Sequence, residues 1–285
     1  MLTTYLSTTA ADVALLPKPV LFLIVGYFSA VVGSFLTVVA HRLPIMIERQ
    51  WALEDGEEPQ GRYNLAFPHS SCPSCNTALR PWHNVPLLSY ALLRGRCGHC
   101  GVRISVRYPL IEAITVSLGT FALIHFGWHW HALAAFGLAC ALFAGALIDM
   151  QEGLLPDAIT LPLLWVGLAV NLSDGFVPIQ EAVIGAMVGY GFLWLVSHAV
   201  KRWTGRDGIG FGDLKLYAAV GAWLGVHAMP QVLALSCAIG ALHAAGKSLY
   251  EGDGEKVIVF GPAIALASAV TLYGGVWGPL ARVFF

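Results

Sequence analysis

HALAAFGLACALFAGALID, residues His131 to Asp149, holds only apolar residues and one cysteine between its two ends. A helix needs about 20 mostly apolar residues to cross a bilayer, and this run is close to that length. It stops on a carboxylate, so a charged group stands where the predicted helix leaves the membrane. Further apolar runs read the same way at roughly 19–40, 108–126, 157–173, 180–200, 213–227, 230–247 and 258–280. Soluble domains carry about 25% charged residues, whereas this chain of 285 residues carries 12%, with 57% hydrophobic. An unusually apolar soluble enzyme is set aside because the apolar residues come in long runs. The composition therefore predicts an all-α polytopic membrane protein of about eight transmembrane helices with one small polar insertion. The sixth and seventh runs are short and glycine-rich, separated only by His227 to Pro230, so six and seven are the competing counts. Met1 to Lys18 has no basic stretch typical of a signal peptide, which makes Pro19 to Ala40 a retained span.

Charge distribution orients the spans, because cytosolic loops are enriched in Lys and Arg. Half of the 16 such residues fall in one segment: Arg42, Arg49, Arg62, Arg80, Arg94, Arg96, Arg103 and Arg107. Lys201, Arg202 and Arg206 follow the fifth run, and Lys247 and Lys256 flank the connection after the seventh. The alternate connections, around His125 to His131, Asn171 to Gln180 and His227 to Gln231, have neither residue. This pattern predicts both termini outside and the insertion in the cytosol. It divides the chain into an N-terminal segment and first helix (1–40), a cytosolic zinc-binding domain (41–107) and a transmembrane body (108–285). A net charge of −1 argues against a nucleic-acid partner.

Within the insertion, Cys72-Pro-Ser-Cys75 and Cys97-Gly-His-Cys100 have the spacing of a four-thiolate zinc site. Each pair makes a knuckle presenting two sulfurs, and such a closed site is structural, stabilising a domain with little core of its own. Two disulfides are the alternative, disfavoured in a reducing cytosol. His99 is not expected to replace a thiolate. Cys140 and Cys237, inside apolar runs, read as small buried core residues.

Ionisable residues near spans are costly and therefore informative. Asp174 and Glu181 fall in a predicted outer loop. Asp157, after Pro156, reads as a helix N-cap. Asp149 ends a helix, where the dipole disfavours an anion and suits a residue that must hold a proton. Asp213 follows Gly208-Ile-Gly210-Phe-Gly212, whose glycines allow unusual backbone conformations and a close approach to a bound peptide. N-capping is the competing reading for Asp213. Topology places Asp149 and Asp213 on one membrane face. Two carboxylates brought together share a proton, so one activates water while the other acts as acid.

These motifs, in this order, resemble the bacterial type IV prepilin leader peptidases, membrane aspartyl proteases with a Gly-x-Gly-Asp motif, here Gly210-Phe-Gly-Asp213. The resemblance covers nearly the whole chain. It includes Gly33-Ser-Phe-Leu36, His41-Arg-Leu-Pro44, both cysteine pairs and Asn84-Val-Pro86. It continues through Ile104-Ser-Val-Arg-Tyr-Pro109 with Glu112, and Asp149 with Leu155-Pro-Asp157. It implies an inner-membrane enzyme that removes the short basic leader of type IV prepilins and type II secretion pseudopilins, after a glycine and usually before phenylalanine. It also implies N-methylation of the new terminus from S-adenosyl-L-methionine. Asp149 and Asp213 are then the catalytic pair, and Cys72, Cys75, Cys97 and Cys100 hold Zn2+. Gly210, Gly212 and Glu112 are candidate substrate contacts, while Gly95, Arg103 and Arg107 are candidates for the methyl-transfer site. Glu112 has a competing reading as an ion-pair partner of Arg103 or Arg107. Two departures stand out: Thr37 where an Asn is expected, and a less polar Met150-Gln-Glu-Gly153. The expected partners are prepilins, pseudopilins and membrane lipid.

A transporter with membrane aspartates on a proton path is the reading from another class; acids clustered on one face disfavour it. An assembly scaffold leaves the glycine loop unexplained. His125, His129 and His131, interleaved with Phe126, Trp128 and Trp130, read as an interfacial aromatic belt in preference to a metal-uptake site.

Overall fold

Helices form where the apolar runs predict them. A computed structural model describes residues 17–57, 61–72, 74–79, 85–205, 208–251 and 259–275. The segment before Pro17, Pro73, Arg80, Asn84, Arg206, Lys256 and the last run beyond Gly275 lie outside the described residues. The elements in order are α1 (Lys18–Glu54), the short α2 (Leu88–Leu92), α3 (Arg107–Phe126), α4 (Trp130–Glu152), α5 (Asp157–Leu172), α6 (Ile179–Thr204), α7 (Phe211–Leu224), a 3-10 turn (Val226–Ala228), α8 (Met229–Glu251) and α9 (Gly261–Gly274). Among the described residues there is no β-strand beyond two isolated bridges, Ser71 with Ala78 and Arg96 with Arg103.

Every predicted apolar run holds a helix, but among the described residues five helices are long and apolar enough to cross a bilayer: α1, α3, α4, α6 and the stretch Val226–Leu249. At 1.5 Å per residue, the 16 residues of α5 and the 14 each of α7 and α9 reach roughly 21–24 Å, short of a hydrocarbon core about 30 Å thick. The multi-pass architecture stands; a count of eight spans does not follow from helix length. The first run does not stop at Ala40 either. α1 continues through Pro44 to Glu54.

The chain forms two compact units, Met1–Phe136 and Gly137–Phe285. In the first, α1 packs against α3 through small residues. A Cβ on Gly33 would lie 2.9 Å from the Glu112 Cα and 3.0 Å from Thr115, and Gly119 abuts Ser29 of α1. Small residues let apolar helices approach closely when no water is expelled to drive association. Arg42, buried on α1, donates to the carbonyls of Asn64 and Leu65 at 3.1 and 3.3 Å, tying the insertion to the helix. Thr37, at the departure from the expected Asn, donates within its own helix to the Ser34 carbonyl at 2.6 Å.

In the second unit α7 is the core, with Leu216, Ala219, Val220 and Ala222 wholly buried. Gly185 and Gly189 of α6 press on its backbone, and Gly167 of α5 lies under the Trp223 ring. The Trp223 indole N–H donates to the Leu163 carbonyl at 2.8 Å. Buried Asn171 ends α5 as a hub. Its amide donates to the Ala222 and Trp223 carbonyls at 2.8 and 3.1 Å, and its Oδ1 accepts from the Phe176 and Val177 N–H groups at 2.7 and 3.1 Å. This satisfies carbonyls at the end of α7 that a helix leaves unpaired. Cys140 is buried as expected, whereas Cys237 is exposed on the helix surface; an apolar run in a multi-pass protein presents residues outward as readily as inward.

Candidate active site and metal centre

In the insertion, the two cysteine pairs fold into knuckles with the same hydrogen-bond pattern. In the first, the Cys72 N–H donates to the Thr77 carbonyl at 3.1 Å and the Asn76 N–H to the Cys72 carbonyl at 2.8 Å. In the second, the Cys97 N–H donates to the Val102 carbonyl at 2.8 Å and the Gly101 N–H to the Cys97 carbonyl at 3.0 Å. Each turn closes on a positive-φ residue, Asn76 (52°) or Gly101 (72°), where glycine and asparagine are tolerated. The bridges Ser71–Ala78 and Arg96–Arg103 flank the two knuckles in equivalent places. All four thiols are free, and their sulfurs lie within 4.8 Å of one another. The Cys72 and Cys100 sulfurs are 3.8 Å apart, close to the ~3.8 Å edge of a tetrahedron with Zn–S bonds of about 2.3 Å. Hydrogen bonding by Thr77, first its hydroxyl and then its backbone, pushes the Cys75 thiol down to about 6, whereas against a Val102 backbone hydrogen bond, desolvation and the three neighbouring thiols push Cys100 up to about 11. These four are the one group of metal-ligand type among the described residues. His99 is not part of it; its backbone N–H donates to the Cys97 sulfur at 3.5 Å.

Beside the second knuckle, Gly95 sits in a buried turn with φ of 67°, and a Cβ there would meet the Tyr90 hydroxyl at 2.8 Å. The Ile104 N–H donates to its carbonyl at 2.8 Å. Arg103 and Arg107 are exposed. Glu112 makes no ion pair with either arginine; its Oε2 accepts the Leu87 N–H at 2.7 Å.

In the second unit, the two aspartates are brought together by a leucine that the spacing argument passed over. Leu155 lies between α4 and α5, and three glycines close around it. A Cβ on Gly212 would be 2.6 Å from the Leu155 Cβ, one on Gly261 would be 3.1 Å from its Cδ1, and one on Gly145 3.4 Å from its Cδ2. Those glycines belong to α7, α9 and α4, so the end of α4 with Asp149 and the start of α7 with Asp213 converge on one side chain. Asp149 is buried at 6% exposure, and its Oδ2 accepts the Gly261 N–H at 2.9 Å. The backbone of Gly210 hydrogen-bonds the Asp213 carboxylate, yet the Asp213 Oδ1 is buried and has no hydrogen-bond partner among the described residues.

Two expectations change. Neither Asp157 nor Asp213 is an N-cap: those positions are held by Pro156 and Gly210. Asp157 opens α5 and instead binds the Lys215 ammonium at 2.6 and 2.7 Å. Asp213 stands three residues into α7, where its carboxylate reaches back to the cap residue in the manner of a capping box. The glycines of the 208–212 stretch have no positive φ. Gly208 and Gly212 are needed for contact: a Cβ on Gly208 would strike Val200 at 2.7 Å, as one on Gly212 would strike Leu155. Gly261 went unnoticed in the sequence, since Gly261-Pro262 at the head of an apolar run looks like an ordinary helix start. The His129 and His131 rings stack at 4.6 Å, and the Trp130 and His131 rings lie tilted with centroids 4.1 Å apart.

Known protein families match the chain in two successive stretches. The Bacterial Peptidase A24 N-terminal domain matches residues 27–126, and the Type IV leader peptidase family matches residues 136–245. Among similar proteins are prepilin leader peptidase/N-methyltransferases of three bacteria. That of Burkholderia pseudomallei is 51% identical over 86% of this chain and 82% of its own length. That of Aeromonas salmonicida is 46% identical over 90% and 91%, and that of Neisseria gonorrhoeae 42% identical over 86% and 88%. No solved structure matches. By these matches along both units, the chain belongs to the type IV leader peptidase family.

Proposed function

We propose that this chain is a bacterial inner-membrane enzyme that cuts the basic leader from type IV prepilins and pseudopilins at the cytosolic face and then N-methylates the new terminus. The observation that carries the peptidase reading is the convergence of Asp149 and Asp213 on Leu155, with one buried carboxylate oxygen of Asp213 left without a partner among the described residues. A buried polar atom with no partner is costly and marks a place for a water or a substrate carbonyl. The two carboxylates share one proton: the ionised member draws a proton from the attacking water, and the protonated member gives its own to the carbonyl oxygen or leaving amine. Gly210 and Gly212 lie where an extended substrate would run past Asp213.

The four cysteines fit Zn2+, which would clamp the two knuckles together without taking part in the chemistry. S-adenosyl-L-methionine would supply the methyl group, and the first unit, which lies outside the aspartate pair, is the place for that second reaction. The excess of arginine in the insertion supports its cytosolic placement, with lipid around the apolar helices. The test is to incubate detergent-purified protein with a prepilin and labelled methyl donor. A shortened product carrying the label is expected; an intact prepilin would overturn the peptidase reading, and a shortened unlabelled product the methyltransferase reading.

A further inference from the structure

Glu112 is a buried carboxylate that the peptidase chemistry does not use. It sits in α3 at 8% exposure, where an unpaired charge is expensive. α1 covers it closely, with Gly33 packed on its Cα and Ser34 beside the carboxylate. No cation accompanies it among the described residues. What holds it is a backbone N–H from the insertion, that of Leu87 at 2.7 Å.

That donor is itself unusual. Leu87 has φ 58° and ψ −47°, and the Leu88 N–H donates to the Pro86 carbonyl at 2.5 Å. Together these make a γ-turn of the rare positive-φ hand. A leucine persists in that conformation only where its surroundings over-determine it, and such strain clusters at functional positions. Here the turn aims one N–H at one carboxylate. A charged carboxylate offers about four lone-pair positions. Leu87 and Ser34 address only part of them and bring no positive charge.

We propose that Glu112 binds a primary ammonium group, the new N-terminus exposed when a substrate is cut; this rests on the peptidase reading above. The ammonium supplies the missing charge and three N–H donors. By taking one of its protons, the carboxylate leaves the nitrogen with the free electron pair that methylation requires.

The test uses full-length detergent-purified protein without methyl donor. Two fluorescent peptides copy the N-terminal stretch of a mature pilin, one with a free amine and one N-acetylated, and binding is read by anisotropy. Wild type and the Asp213→Asn enzyme are expected to bind the free amine roughly 10- to 100-fold more tightly, the range for a hydrogen bond between charged groups. Glu112→Gln is expected to lose that preference. Equal binding of the two peptides by wild type overturns the proposal whatever the fold of the variant, and so does a preference that survives in Glu112→Gln. Neither result depends on whether prepilin is cut, so a failure of the peptidase reading shows separately in the cleavage assay.

Discussion

The Oδ2 of Asp149 accepts the backbone N–H of Gly261 at 2.9 Å, across 112 residues of chain. One carboxylate is thus fixed by the first residue of a helix remote in sequence, and the position tolerates no side chain. A Cβ on Gly261 would overlap that same carboxylate oxygen.

Gly261→Ala should therefore push Asp149 out of register without touching either aspartate. A displacement of about 1 Å in a reacting group can cost about 100-fold in rate. The expected outcome is a loss of that order in kcat for prepilin cleavage, with unfolding temperature little changed; wild-type kcat would remove Gly261 from the site.

Which parts of this were legible in the sequence follows from the range of the interactions. The cysteine knuckles close within a few residues, so Cys72 to Cys75 and Cys97 to Cys100 were readable from spacing alone. The apolar runs likewise announced their helices. The Asp149–Gly261 bond and the wedge of Leu155 join segments far apart in sequence, and no local pattern encodes them. Asp157 misled for a related reason: Asp after Pro at a helix start is the signature of a cap, but a lysine 58 residues on claims the carboxylate. The glycines before Asp213 stood out in the sequence, but the backbone freedom read into them is not used, since close contact selects the same residue.

Asn171 is the buried polar group on which the second unit most depends. Asn171→Leu would leave the Ala222 and Trp223 carbonyls and two loop N–H groups without partners, at about 1–3 kcal/mol for each group that water cannot reach. A destabilisation of roughly 2–4 kcal/mol is expected in denaturant titration, with metal content unchanged. Stability within about 0.5 kcal/mol of wild type would contradict the role given to this hub.

The Lys215–Asp157 pair should matter little. Its side chains are 30% and 55% exposed, and pairs of that kind contribute about 0–1 kcal/mol. Lys215→Met is expected to shift stability by less than about 1 kcal/mol, measured in the same titration; a larger loss would mean the pair does more than tether α5 to α7.

Removing one sulfur should empty the metal centre while sparing the other unit. Cys72→Ser is expected to lower bound zinc from one equivalent towards none, measured by mass spectrometry of the purified protein. The insertion should then be cut readily by protease, because a closed zinc site supplies folding free energy that so small a domain lacks. An unchanged one-to-one ratio would rule out the four-cysteine site.

The central claim, that Asp149 and Asp213 act as a pair, is tested most directly by the cleavage rate of a purified prepilin with wild type, Asp149→Asn, Asp213→Asn and the double variant. The two carboxylates are expected to behave as one unit, each single variant losing all measurable cleavage and the double variant being no worse, since members of such a unit are not additive. Cleavage at near the wild-type rate by either folded single variant would contradict it.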